Sequence, residues 1–292
     1  MKKNNNKLGW LFTSPYLIFT TIFFLLPLLW SFWLALTDWN MISPEINFVG
    51  LQNFVEAMKS KAIQSAFIVT YKFLIVFVPM AMIISMVIAL LVNSLPKFKG
   101  LYMVAFFLPY LSSGVVTSLI VKGFLSFNGS FSVFLRTRFG VDIDWLGNPT
   151  SAIIIVSLMI AWKMSGYYGL ILASGLENIN KEVYEAADID GANPWTRFWK
   201  ITFPMMYPAF FTVMVLAIGI SFGIFTEVYQ LTGGGPNFST NTWQMEIYNQ
   251  AFINLKSGYA SAVSLLASVV TFASIGVIRK LLEKWGEKYG WS

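Results

Sequence analysis

Residues 8–37 contain no Asp, Glu, Lys or Arg, and that one stretch constrains the fold more than any other feature of the chain. A helix needs about 20 apolar residues to cross the hydrocarbon of a bilayer. Within hydrocarbon every backbone N–H and C=O must be satisfied inside the protein, so a run of this kind is a spanning helix. Basic residues precede it, but the run is too long for a signal peptide and no small-residue cleavage site closes it. Further apolar runs follow at 73–92, 101–121, 152–176, 208–226 and 258–278. With the first span taken as 10–36, they predict an all-α polytopic membrane protein of six transmembrane helices in a single domain over residues 1–292.

Composition agrees. The chain is 56% hydrophobic and 12% charged, where a soluble domain is about 25% charged. Cysteine is absent, so there is no disulfide frame, thiol chemistry or iron–sulfur site. Histidine is absent too, which removes the commonest transition-metal ligand and the usual general base. No catalytic cluster and no metal site is expected. The net charge of +6 is spread over the loops and reads as a topology signal, with no nucleic-acid site.

Six spans put both termini on one side of the membrane. With the N-terminus inside, the cytoplasmic segments hold Lys2, Lys3, Lys7, Lys97, Lys99, Lys181, Arg197, Lys200, Arg279, Lys280, Lys284 and Lys288. The outer segments, about 37–72, 122–150 and 227–257, hold Lys59, Lys61, Lys122, Arg136, Arg138 and Lys256, with Lys72 counted to the end of the second span. Twelve against six predicts N-in, C-in and places the 177–207 loop in the cytoplasm.

That loop has its own signature, Glu185-Ala-Ala-Asp-Ile-Asp-Gly-Ala-Asn-Pro194 followed by a run to Pro204. Asn180 is suited to cap a first helix, Gly191 to stop it in a left-handed conformation, and Asn193 with Pro194 to start a second. Pro204 is expected to end that second helix. Val183, Tyr184 and Ala187 share one side, an apolar patch expected to need a partner, and Ala186 is small enough to sit in a groove beside Glu185. Inside the spans, small residues recur four apart at Ser165, Gly169 and Ala173, at Gly219 and Gly223, and at Ala260, Ser264 and Ser268, a spacing that suits close helix packing.

Glu185, Ala186, Ala187, Gly191, Ile201 and Pro204 stand at the spacing of the EAA loop of ABC-importer membrane subunits, which this segment resembles. The resemblance implies the type I ABC importer permease fold. It also implies a role for the loop in coupling to the ATPase, carried by Glu185, Ala186, Ala187, Gly191, Tyr184 and Pro204. Leu231-Thr-Gly-Gly-Gly-Pro236, Tyr248, Phe252, Gly258-Tyr-Ala-Ser-Ala262, Phe107-Leu-Pro-Tyr110 and Lys122-Gly-Phe124 are similar to the carbohydrate-uptake permeases typified by the larger maltose-transporter subunit. Members of that family imply a multi-pass protein of the bacterial cell membrane. They imply as partners a second homologous permease subunit, two ATPase subunits and an extracellular solute-binding protein. No Gly-Lys-Ser/Thr follows the glycines, so any ATP is bound by the partner ATPase subunits and the chain itself carries no cofactor.

By the same resemblance, substrate contacts fall at Tyr110, Gly114, Ile160, Met164, Tyr167, Ser221 and Ile224, with Trp162 and Tyr168 adding aromatic surface. Isoleucine at 160 and 224 replaces two asparagines of the maltose protein, so the hydrogen-bonding set differs. Lys163 lies near the middle of the fourth span, where an ammonium is costly unless paired or facing a water-filled cavity. It is either a counter-charge for an acidic sugar or one half of a structural pair with a carboxylate or helix carbonyls. Lys72 and Lys122 are expected to snorkel from span ends. Glu227 is a gate or an anchor. The reading is a permease subunit of an ATP-driven sugar or oligosaccharide importer. Its rivals are an importer of a polyol, glycerol phosphate or amino acid, and, in a different class, a membrane-embedded enzyme or sensor without an ATPase.

Overall fold

The structure, a computed structural model, describes residues 5–288 and 290. Lys2 and Lys3, two of the charges that orient the chain, lie outside the described residues. Helix is the only extended secondary structure among them, the one β-bridge joining Thr37 and Phe48. The chain divides into two compact units, one formed by the chain up to Gln64 with Glu246–Val269, the other by Ser65–Met245 with the chain from Val270.

In the first unit, α1 (Asn5–Thr20) runs through a π turn (Thr21–Leu25) into α2 (Leu26–Ala35). Pro27 has no N–H to donate, and just before it the ladder is re-registered so that the Leu26 N–H reaches the Thr21 carbonyl. A short α3 (Gln52–Lys59) follows, and its buried Asn53 amide donates to the carbonyls of Ala35 (2.9 Å) and Thr37 (2.8 Å). Those carbonyls at the end of α2 have no partner within their own helix, so Asn53 closes it. Gly258 opens the last helix against the same place. A Cβ there would occupy the position of the Thr37 carbonyl, and the Gly258 N–H donates to Trp39 at 3.0 Å.

The second unit holds the rest: α4 (Lys61–Ser94, from Ser65 on), α5 (Lys99–Leu111), α6 (Gly114–Leu125), α7 (Ser130–Phe139), α8 (Pro149–Glu177) and α9 (Lys181–Ile189). Next come α10 (Pro194–Arg197), a π turn (Phe198–Thr202), α11 (Phe203–Met205), α12 (Tyr207–Phe222), α13 (Thr226–Leu231) and the start of α14 (Trp243–Tyr248). α15 (Ser257–Glu287) contributes its later part. Among the described residues five helical stretches are long and apolar enough to cross a membrane, six when the bent pair Pro194–Met205 and Tyr207–Phe222 is counted as one.

Two of the expected spans differ from a straight helix. The third, expected over 101–121, is broken between α5 and α6. Pro109 removes a helical donor, Ser112 turns to an extended conformation with ψ 147°, and its hydroxyl donates back to the Pro109 carbonyl at 2.6 Å. The fifth begins at Tyr207, after a 71° bend at Met206. Pro204 stands one residue before Met205, where the second helical stretch of the loop ends. It lies inside α11, and its missing N–H is accommodated by the preceding π turn, where the Phe203 N–H reaches the Phe198 carbonyl.

α8 is the centre of this unit, with Ala152, Val156, Ser157, Ala161 and Leu172 fully buried. Two glycines set its neighbours' approach. Gly166 faces the backbone of α5, so that a Cβ would collide with the Phe106 carbonyl, and Gly175 brings Ala209 of α12 to 2.6 Å from its own would-be Cβ. Gly169, in the expected small-residue stripe, faces α4, where a Cβ added to it would lie 3.1 Å from the Ile88 side chain. The other two stripes differ from expectation. An added Cβ on Gly219 meets nothing within 4 Å. In the last helix Tyr259, Ala260, Ala262, Val263 and Ala267 are buried while Ser264 is half-buried and Ser268 exposed, because burial follows the 3.6-residue period rather than strict spacing of four.

Candidate functional site

The break in the third span positions the site. Tyr110 is the last residue but one of α5, and Gly114 opens α6 directly after the break. Tyr110 stacks on Tyr167 of α8, ring centroids 4.9 Å apart and planes 16° from parallel, with both residues half-buried. One turn earlier on α8, Lys163 is buried, and its Nζ lies 3.8 Å from Oε1 of Glu227 on α13. The two side chains are 10% and 14% exposed. A Cβ on Gly114 would lie 2.9 Å from that Oε1 and 3.3 Å from the Lys163 Nζ. Glycine at the head of α6 therefore leaves the space that the ion pair occupies. The positive end of the α6 dipole also favours a carboxylate there.

Glu227 reaches this place because the chain leaves α12 at Gly223 and turns through Phe225, φ −138° and ψ −61°. The segment then returns to its origin. The Thr242 hydroxyl donates to the Ile224 carbonyl at 2.8 Å, and the Trp243 indole donates to the Phe222 carbonyl at 2.7 Å. Between those ties the Gly-rich loop closes on itself through the Thr232 and Thr240 hydroxyls, 2.7 Å apart. Lys122 does not snorkel freely. Its ammonium donates to the Gln230 carbonyl at 3.0 Å and holds the far end of α13.

The remaining expected contacts divide. Met164 is half-buried on α8. Ser221 and Ile224 are buried, the Ser221 hydroxyl donating to the Ile218 carbonyl of its own helix at 2.7 Å. Ile160 is 2% exposed and Tyr168 1%, so both fill the interior of the unit. Trp162 is 48% exposed, on the outer side of α8. The site that the structure assembles is thus Tyr110, Gly114, Lys163, Tyr167 and Glu227. Of these, Glu227 as the partner of Lys163 was not readable from sequence, since the two lie 64 positions apart. A cavity of about 370 Å³ lies between α5 and α8, lined by Phe107, Leu170, Asn93, Lys99 and Glu177. A second, of about 650 Å³, shares Leu170 and Ser174 and reaches Met206, Ala209 and Thr212 of the α11–α12 corner.

The 177–207 loop is a folded hairpin. The Asn180 side chain caps α9 through the Glu182 N–H, and the Asn193 side chain caps α10 through Thr196 N at 2.8 Å. Gly191 has φ +73°. The Ala192 N–H bonds the Ala187 carbonyl (2.9 Å) and the Gly191 N–H the Asp188 carbonyl (3.1 Å), the paired pattern of a Schellman stop. The apolar patch is covered in part within the hairpin, with Val183 and Tyr184 half-buried. Ala187 is buried, the Tyr184 hydroxyl is 3.1 Å from that of Thr202, and Arg197 lies over the Tyr184 ring while pairing with Asp188 at 2.8 Å. The face turned outward carries Glu185, Ala186, Ile189 at 87% exposure and Trp195 at 73%.

The family described as binding-protein-dependent transport system inner membrane component matches residues 5–286 of this chain. The chain is 30% identical over 277 residues to the trehalose/maltose transport system permease protein MalF of Thermococcus litoralis, covering 94% of this chain and 92% of that one. It is 34% identical over 285 residues to the lactose transport system permease protein LacF of Rhizobium radiobacter, covering 93% and 94%. It is 31% identical over 284 residues to the sn-glycerol-3-phosphate transport system permease protein UgpA of Agrobacterium fabrum, covering 96% of each. Among solved structures, a chain of a bacterial alginate ABC transporter, crystallised with a pentasaccharide-bound periplasmic protein, superposes with a TM-score of 0.80. The superposition covers 97% of this chain and 95% of that one at 20% identity, a likeness of fold.

Proposed function

Because this chain belongs to the family of binding-protein-dependent transport system inner membrane components, we propose that it is the membrane-spanning permease of an ATP-driven importer for a sugar or oligosaccharide. The observation that carries this reading is likeness along almost the whole chain to permeases named for maltose, trehalose and lactose. The site suits it. Two stacked tyrosines offer ring faces to the C–H side of a saccharide and hydroxyls to its rim, with a polar pair one turn away.

In this proposal transport is alternating access around that site. Hydrolysis takes place on two partner ATPase subunits, which bear on the outward face of the 177–207 hairpin at Glu185, Ala186, Ile189 and Trp195. The hairpin joins α12 at the Met206 corner, so its displacement tilts α12 against α8, where Gly175 and Ala209 meet. A second, homologous permease completes the pathway, and a solute-binding protein delivers the substrate at the outer face. The relative named for sn-glycerol-3-phosphate supports a second reading, a small phosphorylated polyol. The pair weighs against it, since Lys163 already faces a carboxylate.

Two measurements on the expressed system test the function. The tagged chain is purified from membranes, and the solute-binding protein encoded with it is melted against sugars, polyols and glycerol phosphate. The expected result is a second permease and an ATPase in the purified complex, with stabilisation of the binding protein by a saccharide. A binding protein stabilised only by glycerol phosphate favours the second reading. A chain purified without any ATPase contradicts both.

A further inference from the structure

We propose that Glu227 sets the charge selectivity of this site. By neutralising Lys163 it keeps the site at zero net charge, so that an uncharged saccharide is accepted and an acidic one refused. The inference rests on the reading of the chain as a saccharide permease and adds to it the class of saccharide.

Four observations carry it. The ammonium and carboxylate are 3.8 Å apart and nearly enclosed, so each is the dominant charge felt by the other. Among the described residues neither makes a hydrogen bond, which leaves the donors of the ammonium and the acceptors of the carboxylate to a ligand. A hydroxyl both donates and accepts, so one saccharide rim satisfies both. Gly114 leaves room for the pair, and the Tyr110–Tyr167 stack lies one helical turn away. Lastly, α13 is held independently by Lys122 on the Gln230 carbonyl, so Glu227 is carried to its position by the backbone and not only by attraction to Lys163. A carboxylate on the ligand meets Lys163 and Glu227 together, and the repulsion from Glu227 cancels what the ammonium offers. Without Glu227, the same ammonium becomes an uncompensated anion site.

The test uses the assembled importer in lipid nanodiscs and two probes that differ only at C6, methyl glucoside and methyl glucuronoside. Binding is measured by titration calorimetry on wild type, Glu227→Gln, Glu227→Asp and Thr226→Lys. Wild type and Glu227→Asp are expected to favour the glucoside. Glu227→Gln is expected to shift the affinity ratio towards the acid by about tenfold or more, a modest share of what a like-charge contact costs. Thr226→Lys gives the same net charge with the pair intact, and the same shift is expected from it. It keeps the proposal open to refutation where loss of Glu227 prevents assembly. An assembled Glu227→Gln or Thr226→Lys importer with the wild-type ratio overturns the proposal, as does a wild type that favours the acid. A wild type that binds neither probe contradicts the saccharide reading itself, and this inference with it.

Discussion

Replacing Gly191 isolates one physical term in the 177–207 hairpin, for which a coupling role is proposed. Its φ is +73°, a conformation that L side chains rarely adopt, yet a Cβ added there meets no heavy atom within 4 Å. The cost of a side chain is therefore backbone strain alone, without a steric clash to confuse it. An L-residue held in the left-handed region pays about 1–2 kcal/mol, with β-branched valine at the upper end and asparagine at the lower. That is a factor of about 5–30 in the equilibrium between the closed hairpin and an opened one. The Schellman bonds from Ala192 and Gly191 are the first to loosen, and with them the relative setting of Glu185 and Trp195 on the outward face. In reconstituted importer, Gly191→Val is expected to lower sugar imported per ATP hydrolysed several-fold, with basal hydrolysis and assembly retained. Gly191→Asn is expected to stay near wild type. Equal damage from valine and asparagine would refute the strain argument, and unimpaired coupling in Gly191→Val would remove Gly191 from the coupling mechanism.

Three further outcomes follow from the geometry. Gly166→Ala places a methyl on the Phe106 carbonyl of α5 and is expected to destabilise the purified permease by about 1–3 kcal/mol in denaturant unfolding, whereas Gly219→Ala, with open space around it, leaves the midpoint unchanged. Tyr110→Ala or Tyr167→Ala, each removing one half of the stack, is expected to cut uptake at least tenfold while expression and basal hydrolysis stay near wild type; normal uptake in both places the substrate contacts elsewhere. The chain has no cysteine, so single cysteines report topology directly: Asn128→Cys should label in intact cells and Lys181→Cys only after the membrane is opened, and the reverse pattern overturns the orientation.

What was legible in the sequence was what local chemistry decides. The caps at Asn180 and Asn193 and the stop at Gly191 depend on residues within a few positions, and each forms as the residue types require. Spans were legible because bilayer thickness sets their length. The break at Ser112–Ser113 was not, since a proline within an apolar helix is tolerated as often as it interrupts, and only the tertiary setting decides. The patch of Val183, Tyr184 and Ala187 was read correctly as apolar, but what covers part of it, Arg197 and Thr202, lies across a hairpin that sequence does not fold. For Lys163 the sequence left two readings open, and the carboxylate partner emerges only when α13 is folded back along α6. Pairing across 64 positions leaves no periodic trace in the chain.

The central claim is that this chain passes a saccharide across the membrane at the expense of ATP. The most direct measurement is uptake of radiolabelled oligosaccharide into proteoliposomes that contain the chain, its partner permease and the ATPase subunits, with the cognate binding protein supplied on the side opposite the ATPases. The account predicts accumulation that requires both ATP and the binding protein and that falls at least tenfold in Tyr167→Ala. Uptake that needs neither ATP nor the binding protein, or ATP-driven uptake of glycerol phosphate in the absence of any saccharide transport, would contradict it.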